Sequence, residues 1–136
     1  MDLEDLDDAA WLVSDPWERE IRELLDEMDA GIDTIVVEGP RDTAALRGGG
    51  VTSPIAECAR CQNLHRFTDR LDDDQIAILT DFDEHGRHLN GRLRELLPDR
   101  HVESRWRRDL GLLLTQRGRY DIESLNNVFG NNMRGI

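Results

Sequence analysis

Lysine is absent from this 136-residue chain; all 17 of its basic residues are arginine. Lysine carries a strongly hydrated ammonium on a flexible stem, whereas arginine is planar and more weakly hydrated. Its loss beside heavy aspartate use points to a surface adapted to concentrated salt. Cysteine is scarce too: two residues exclude a disulfide framework and agree with a reducing compartment. No stretch reaches the ~20 apolar residues of a membrane span, so no membrane partner is expected. The first residues, Met1-Asp2-Leu3-Glu4-Asp5, lack the positive start of a signal peptide. A cytoplasmic location is therefore expected. Internal repeats and low-complexity linkers are also missing.

What the chain has in abundance is acid. Asp and Glu number 29, giving a formal net charge of -12. Such a balance ordinarily disfavours nucleic acid, because binding there is driven by neutralising phosphates. In concentrated salt the Debye length falls to roughly 3 Å, the acidic background is screened, and local arginine clusters matter more.

Hydrophobic patterning predicts strands alternating with helices. Residues 1–13 read as an acidic arm. Asp15-Pro16-Trp17-Glu18 then opens a helix, with Asp15 as N-cap and Pro16 at its first position. Trp17, Ile21, Leu24, Leu25 and Met28 recur at helical spacing, and Gly31 is expected to end the helix in a left-handed conformation. Thr34-Ile35-Val36-Val37 reads as a buried strand, followed by a brief helix over 43–47 with Asp42 as its N-cap. Further strands are predicted at 51–55, 76–80 and, weakly, 101–104. Residues 57–71 read as a polar helix or loop and 87–97 as a helix. Leu110 to Leu114 suggest another, and a last one opens at Asp121 ahead of a frayed end at 130–136. The pattern divides into an N-terminal arm and helix (1–32), a core (33–104) and C-terminal helices (105–136). Its fold class is α/β, layered on a mainly parallel sheet.

In such sheets functional groups gather beyond the carboxyl ends of the strands. Two strands here run into acids: the first into Glu38, the third into Asp81 and Asp83. Residues two apart on extended chain point the same way, so both aspartates can face one site while Phe82 turns inward. If the two strands are parallel neighbours, Glu38 joins them. Three carboxylates so close repel unless one is protonated or a cation joins them. Magnesium suits that role, being hard, oxygen-seeking and content to keep waters and phosphate oxygens among its ligands. The plainer reading is that each acid caps a helix or meets solvent.

Thr34-Ile35-Val36-Val37-Glu38-Gly39-Pro40-Arg41-Asp42 resembles the first signature of the Toprim domain, shared by topoisomerases and primases. Ile78-Leu79-Thr80-Asp81-Phe82-Asp83-Glu84-His85-Gly86 resembles its second. The likeness covers about residues 33–104, and the whole chain resembles compact archaeal Toprim proteins related to nucleases that mature ribosomal RNA. It implies a Toprim fold, a Rossmann-like four-stranded sheet flanked by helices. It also implies magnesium, with manganese as an alternative, on Glu38, Asp81 and Asp83, and nucleic acid, RNA or DNA, as partner. Glu38 would be ligand or general base. Asp42 matches a less constant acid of the family. Tyr120, the only tyrosine, stands without the large domain that carries a topoisomerase nucleophile, and the domains around a bacterial primase unit are missing as well.

Weaker signals remain. Cys58-Ala59-Arg60-Cys61, even with His65, His85 or His88, lacks the second ligand pair of a structural zinc site, so two small half-buried thiols are expected. Arg100, Arg105, Arg107 and Arg108 surround Trp106 and form the densest basic stretch, suited either to phosphates or to pairing with surface acids. Arg41, next to Gly39 and Glu38, is the better candidate for a phosphate at the metal. The expected function is a magnesium-dependent nuclease or phosphodiesterase; the alternative is a non-catalytic, metal-dependent module that binds nucleic acid or nucleotides.

Overall fold

The computed structural model describes residues 15–134, and side chains through 129. The acidic arm expected over 1–13 lies outside the described residues.

Helix α1 (Pro16–Gly31) starts as its sequence dictates. Asp15 accepts the Trp17 N–H at 2.9 Å, Pro16 fills the first turn, and Ile21, Leu25 and Met28 are buried on one face. Its end differs from expectation: Gly31 is the last helical residue and the chain leaves through extended Ile32, with no left-handed glycine there. Strand β1 (Thr34–Val37) follows and is buried along its length. Helix α2 (Pro40–Gly48) is longer than the predicted 43–47 because Pro40 nucleates it. Asp42 is thus its third residue and not its N-cap, and its carboxylate takes the Gly39 N–H at 3.1 Å.

Strand β2 (Ile55–Glu57) begins where the predicted strand at 51–55 ends. Arg47 donates to the carbonyls of Val51 and Ser53, which holds that stretch outside the sheet. A short 3-10 turn, Cys58–Arg60, and helix α3 (Leu64–Asp69) cover the segment left open as helix or loop. Strand β3 (Gln75–Ile78) leads to α4 (Glu84–Glu95), then come β4 (His101–Val102) and α5 (Arg105–Thr115). A second 3-10 turn, Ile122–Ser124, runs into α6 (Leu125–Arg134), so helix occupies most of the end expected to fray.

The four strands form one all-parallel sheet in the order β2-β1-β3-β4, a Rossmann-like α/β arrangement. Alternate residues feed two separate cores, as the two-residue period of a strand requires. Ile35, Val37, Ala77 and Leu79 pack with α1, α2, α5 and α6 on one face. Val36, Ile76 and Ile78 pack on the other with Phe67 of α3 and Leu93 of α4. The described C-terminal helices therefore share a core with the N-terminal helix and the sheet. A hydrogen bond from the Trp17 indole N–H to the Leu113 carbonyl, 2.6 Å, ties α1 to α5. Among the described residues no helix is long and apolar enough to cross a membrane.

Candidate functional site

Strands β1 and β3 are parallel neighbours, with Val36 paired to Ile78, so their carboxyl ends open side by side. The turn after β3 is tightly braced. Leu79 N–H continues the ladder onto the Val36 carbonyl at 2.8 Å, and the buried Thr80 hydroxyl donates to the Gly86 carbonyl at 2.7 Å. Gly86 is required by this contact: a Cβ there would stand 1.9 Å from the Asp81 carbonyl oxygen. Phe82 turns inward, its N–H donating to the Tyr120 carbonyl at 2.8 Å and its ring pressed on Gly111 of α5. From α5, Arg107 donates to the carbonyls of Thr80 and Asp81.

The three predicted acids are each held by one oxygen. Glu38 Oε2 accepts the Asp81 N–H at 3.0 Å, Asp81 Oδ1 accepts the Ile122 N–H at 3.0 Å, and Asp83 Oδ1 accepts the Gly86 N–H at 2.7 Å. One oxygen of each carboxylate takes none of these backbone bonds. Glu38 and Asp81 belong together, side by side across β1 and β3. Asp83 does not share their orientation: the extended chain stops at Ile78, residues 81–83 bend, and the Asp83 side chain caps α4 from an exposed position. Among the described residues, no three His, Cys, Asp or Glu side chains stand close enough together to enclose a metal ion.

Charge nonetheless accumulates here. Burial, and then the neighbouring charges of Glu38 and Asp42, push the Asp81 carboxyl up to about 7, although the Ile122 N–H works the other way. Burial also raises Asp42, reinforced by Glu38 and despite the Gly39 N–H. The same surroundings push the Cys58 thiol up to about 11, leaving it a poor nucleophile at neutral pH. A pocket of about 320 Å3 opens over the acids, lined by Glu38, Gly39, Pro40, Arg41, Asp42, Ala59, Asp81 and Glu123. His85 Nε2 stands 3.7 Å from Glu38 Oε1.

Arg41 lies in that lining with its side chain 81% exposed, 3.7 Å from Glu123. The predicted basic stretch instead scatters. Arg100 donates to the carbonyls of Leu71, Asp72 and Asp73, Arg105 pairs with Glu27 and Asp109, Arg108 pairs with Asp109, and Arg107 braces the Asp81 turn. Trp106 is buried and cannot stack a base. Cys58 is buried and Cys61 half-buried, as expected, and the Cys61 thiol faces the Asn63 carbonyl at 3.3 Å. Tyr120 is exposed and enters the site only through its backbone carbonyl.

Sequence reasoning missed the contribution of residues 120–123. Ile122 is buried and gives the N–H that fixes Asp81, and Glu123 forms one wall of the pocket. The signal was indirect: Asp121 caps this turn by accepting the Ser124 N–H at 2.8 Å, but nothing local says that the turn folds back over β3.

Fold and site together define an α/β protein with a Rossmann-like parallel sheet and an acidic pocket at the ends of two central strands. Comparison with known proteins carries the assignment further. No family model matches the chain. A UPF0292 protein of Thermococcus onnurineus is 31% identical over 115 residues, spanning 82% of this chain and 83% of the relative. Another, from Thermococcus sibiricus, is 29% identical over 114 residues, 82% of this chain and 87% of the relative. A Pyrococcus furiosus member is 40% identical over a shorter stretch of 63 residues, 46% of this chain and 48% of its own. The chain belongs to the UPF0292 family. A solved structure of an Aquifex aeolicus protein superposes with a TM-score of 0.59 at 22% identity, over 79% of this chain and 94% of that one. That likeness speaks to the fold alone.

Proposed function

We propose that this protein is a Toprim-type, magnesium-dependent nuclease or phosphodiesterase acting at the pocket over Glu38 and Asp81. The observation that carries the reading is the pair itself. Two carboxylates from adjacent parallel strands face one pocket, each fixed by a backbone N–H through one oxygen, and no arginine side chain is bonded to either. Backbone clamps of this kind orient acids for a ligand better than they solvate them.

The donor set fits magnesium, or manganese, in the form these ions prefer: one or two carboxylates, with waters and substrate phosphates completing the shell. Glu38 and Asp81 would hold it directly, and Asp83, turned to cap α4, would reach it through water. When bound, the ion polarises the phosphate and makes a coordinated water more acidic. Glu38 Oε1, the oxygen not held by the Asp81 N–H, is placed to take that water's proton as the P–O bond to the leaving group breaks. Arg41, at the pocket wall and only 3.7 Å from its partner Glu123, would swing to the phosphate oxygens.

Cleavage of structured RNA and single-stranded DNA, assayed in concentrated potassium chloride with magnesium, tests the reading. The parent protein should cleave one of them and Asp81→Asn should not; equal cleavage by the variant would sink the site. The second reading, a non-catalytic module, draws on the lack of any group of three metal-binding side chains among the described residues. Binding without cleavage across both substrates would favour it.

A further inference from the structure

The acidic pocket occupies one side of the 80–83 turn. On the other side, at Phe82, lies a second cavity of about 360 Å3, lined by Phe82, Arg87, Arg107, Arg108, Gly111, Leu112 and Thr115. In a protein of net charge -12, three arginines and no carboxylate line it. Arg108 is partly neutralised by Asp109 at 3.0 Å. Arg107 is not paired with a carboxylate: its Nε and one terminal nitrogen donate to main-chain carbonyls, and its charge is depressed first by burial and next by Arg87. Arg87 stands exposed on the first turns of α4, and among the described residues no carboxylate pairs with it.

Holding like charges together costs energy unless an anion joins them. The cavity combines these guanidinium groups with an apolar floor. Leu112 is 59% exposed, an unusual position for a leucine, and Gly111 leaves the Phe82 ring edge open beneath it. Guanidinium forks match phosphate oxygens, and an apolar floor accepts the sugar and base edge of a nucleotide.

We propose that this notch binds the phosphodiester backbone of a nucleic acid, holding the strand that passes the acidic pocket. The inference rests on the nucleic-acid reading of that pocket and adds the route of the strand. Arg87 and the free N–H groups of Arg107 contact phosphate, and Leu112 packs against the adjoining nucleoside. The Thr80 and Asp81 carbonyls keep Arg107 fixed, so its fork is preorganised. Arg87 is the mobile partner.

The test is binding of short labelled RNA and DNA strands of one sequence, followed by fluorescence anisotropy in EDTA across a salt series. Arg87→Gln removes an exposed charge without touching the core and should weaken binding about tenfold, the loss expected for one charge-assisted contact. It should also flatten the salt dependence by about one unit of slope. Leu112→Ser should weaken binding several-fold at unchanged slope, and Arg66→Gln, a charge-matched change on α3, should do neither. RNA and DNA should respond alike if the backbone is the ligand. An Arg87→Gln variant that binds as tightly as the parent, or no detectable binding by the parent, would overturn the notch. The two readings separate cleanly. Asp81→Asn should abolish cleavage while leaving EDTA binding intact, and Arg87-dependent binding without cleavage on any substrate would retain the notch and refute the nuclease.

Discussion

One turn of chain, residues 80–83, divides two surfaces of opposite character. On the Asp81 side the walls are Glu38, Asp42 and Glu123, and the carboxyl of Asp81 is pushed up to about 7. On the Phe82 side they are Arg87, Arg107 and Arg108 over apolar ground. Both depend on the same brace: Arg107 bonds the carbonyls of Thr80 and Asp81, and Gly86 lets α4 approach the Asp81 carbonyl. The contrast teaches that net charge says little about function here. A chain this acidic still concentrates arginine where the turn places it, and its few functional acids differ from the rest by position on the sheet.

The comparison breaks most completely at the shared brace. Gly86→Ala would drive a methyl into the Asp81 carbonyl, 1.9 Å from its ideal position, with backbone on both sides of the clash. A loss of about 3 kcal/mol or more is expected, read as a lowered urea midpoint, with both surfaces lost together. A variant as stable as the parent would show that the turn is not rigid. Asp81→Asn strikes the acidic side alone. It should lower magnesium-dependent cleavage on the order of 10²-fold, the usual cost of a group placed at developing charge.

Arg107→Met is expected to cost about 1–3 kcal/mol, because two carbonyls lose their donor. It should also weaken oligonucleotide binding, whereas Arg87→Gln should weaken binding without altering the melting temperature. Equal melting temperatures for both variants would mean that the brace is dispensable.

The smallest effect lies away from both surfaces, at Asp29. Burial would raise this carboxyl, but hydrogen bonds from Ser53 and Thr52 outweigh it and bring it to about 2. A carboxylate lowered in the folded state stabilises the protein above its unfolded value, near 4. That contribution, roughly 1 kcal/mol after allowance for solvent screening, is lost as pH falls from about 4 through about 2. Asp29→Asn should flatten the acid limb of the stability curve, and an unchanged limb would show that these bonds carry little energy.

The two surfaces also differ in how readable they were from the sequence. The acidic side was legible because strand ends are local: Val37 leads directly to Glu38, and Ile78 leads within a few residues to Asp81. Parallel pairing of β1 and β3 then brought those ends together. Asp83 was legible as an acid but not in its orientation, since the bend after Ile78 gives its carboxylate to the Gly86 N–H. Ile122 was not legible at all, because its role is a backbone N–H delivered across 41 positions of sequence. The arginine notch is assembled from α4 and α5, and only their packing brings Arg87 near Arg107. In the sequence Arg107 belonged to a dense basic run whose other members turned to Glu27, Asp109 and main-chain carbonyls.

The most direct test of the acidic side is the melting temperature against magnesium concentration at fixed high potassium chloride, for the parent protein and Asp81→Asn. A ligand held only by the folded state raises stability by mass action. The parent should rise in temperature with magnesium and saturate, while Asp81→Asn stays flat. A parent curve indifferent to magnesium, or a variant that rises equally, would contradict a cation site on Glu38 and Asp81.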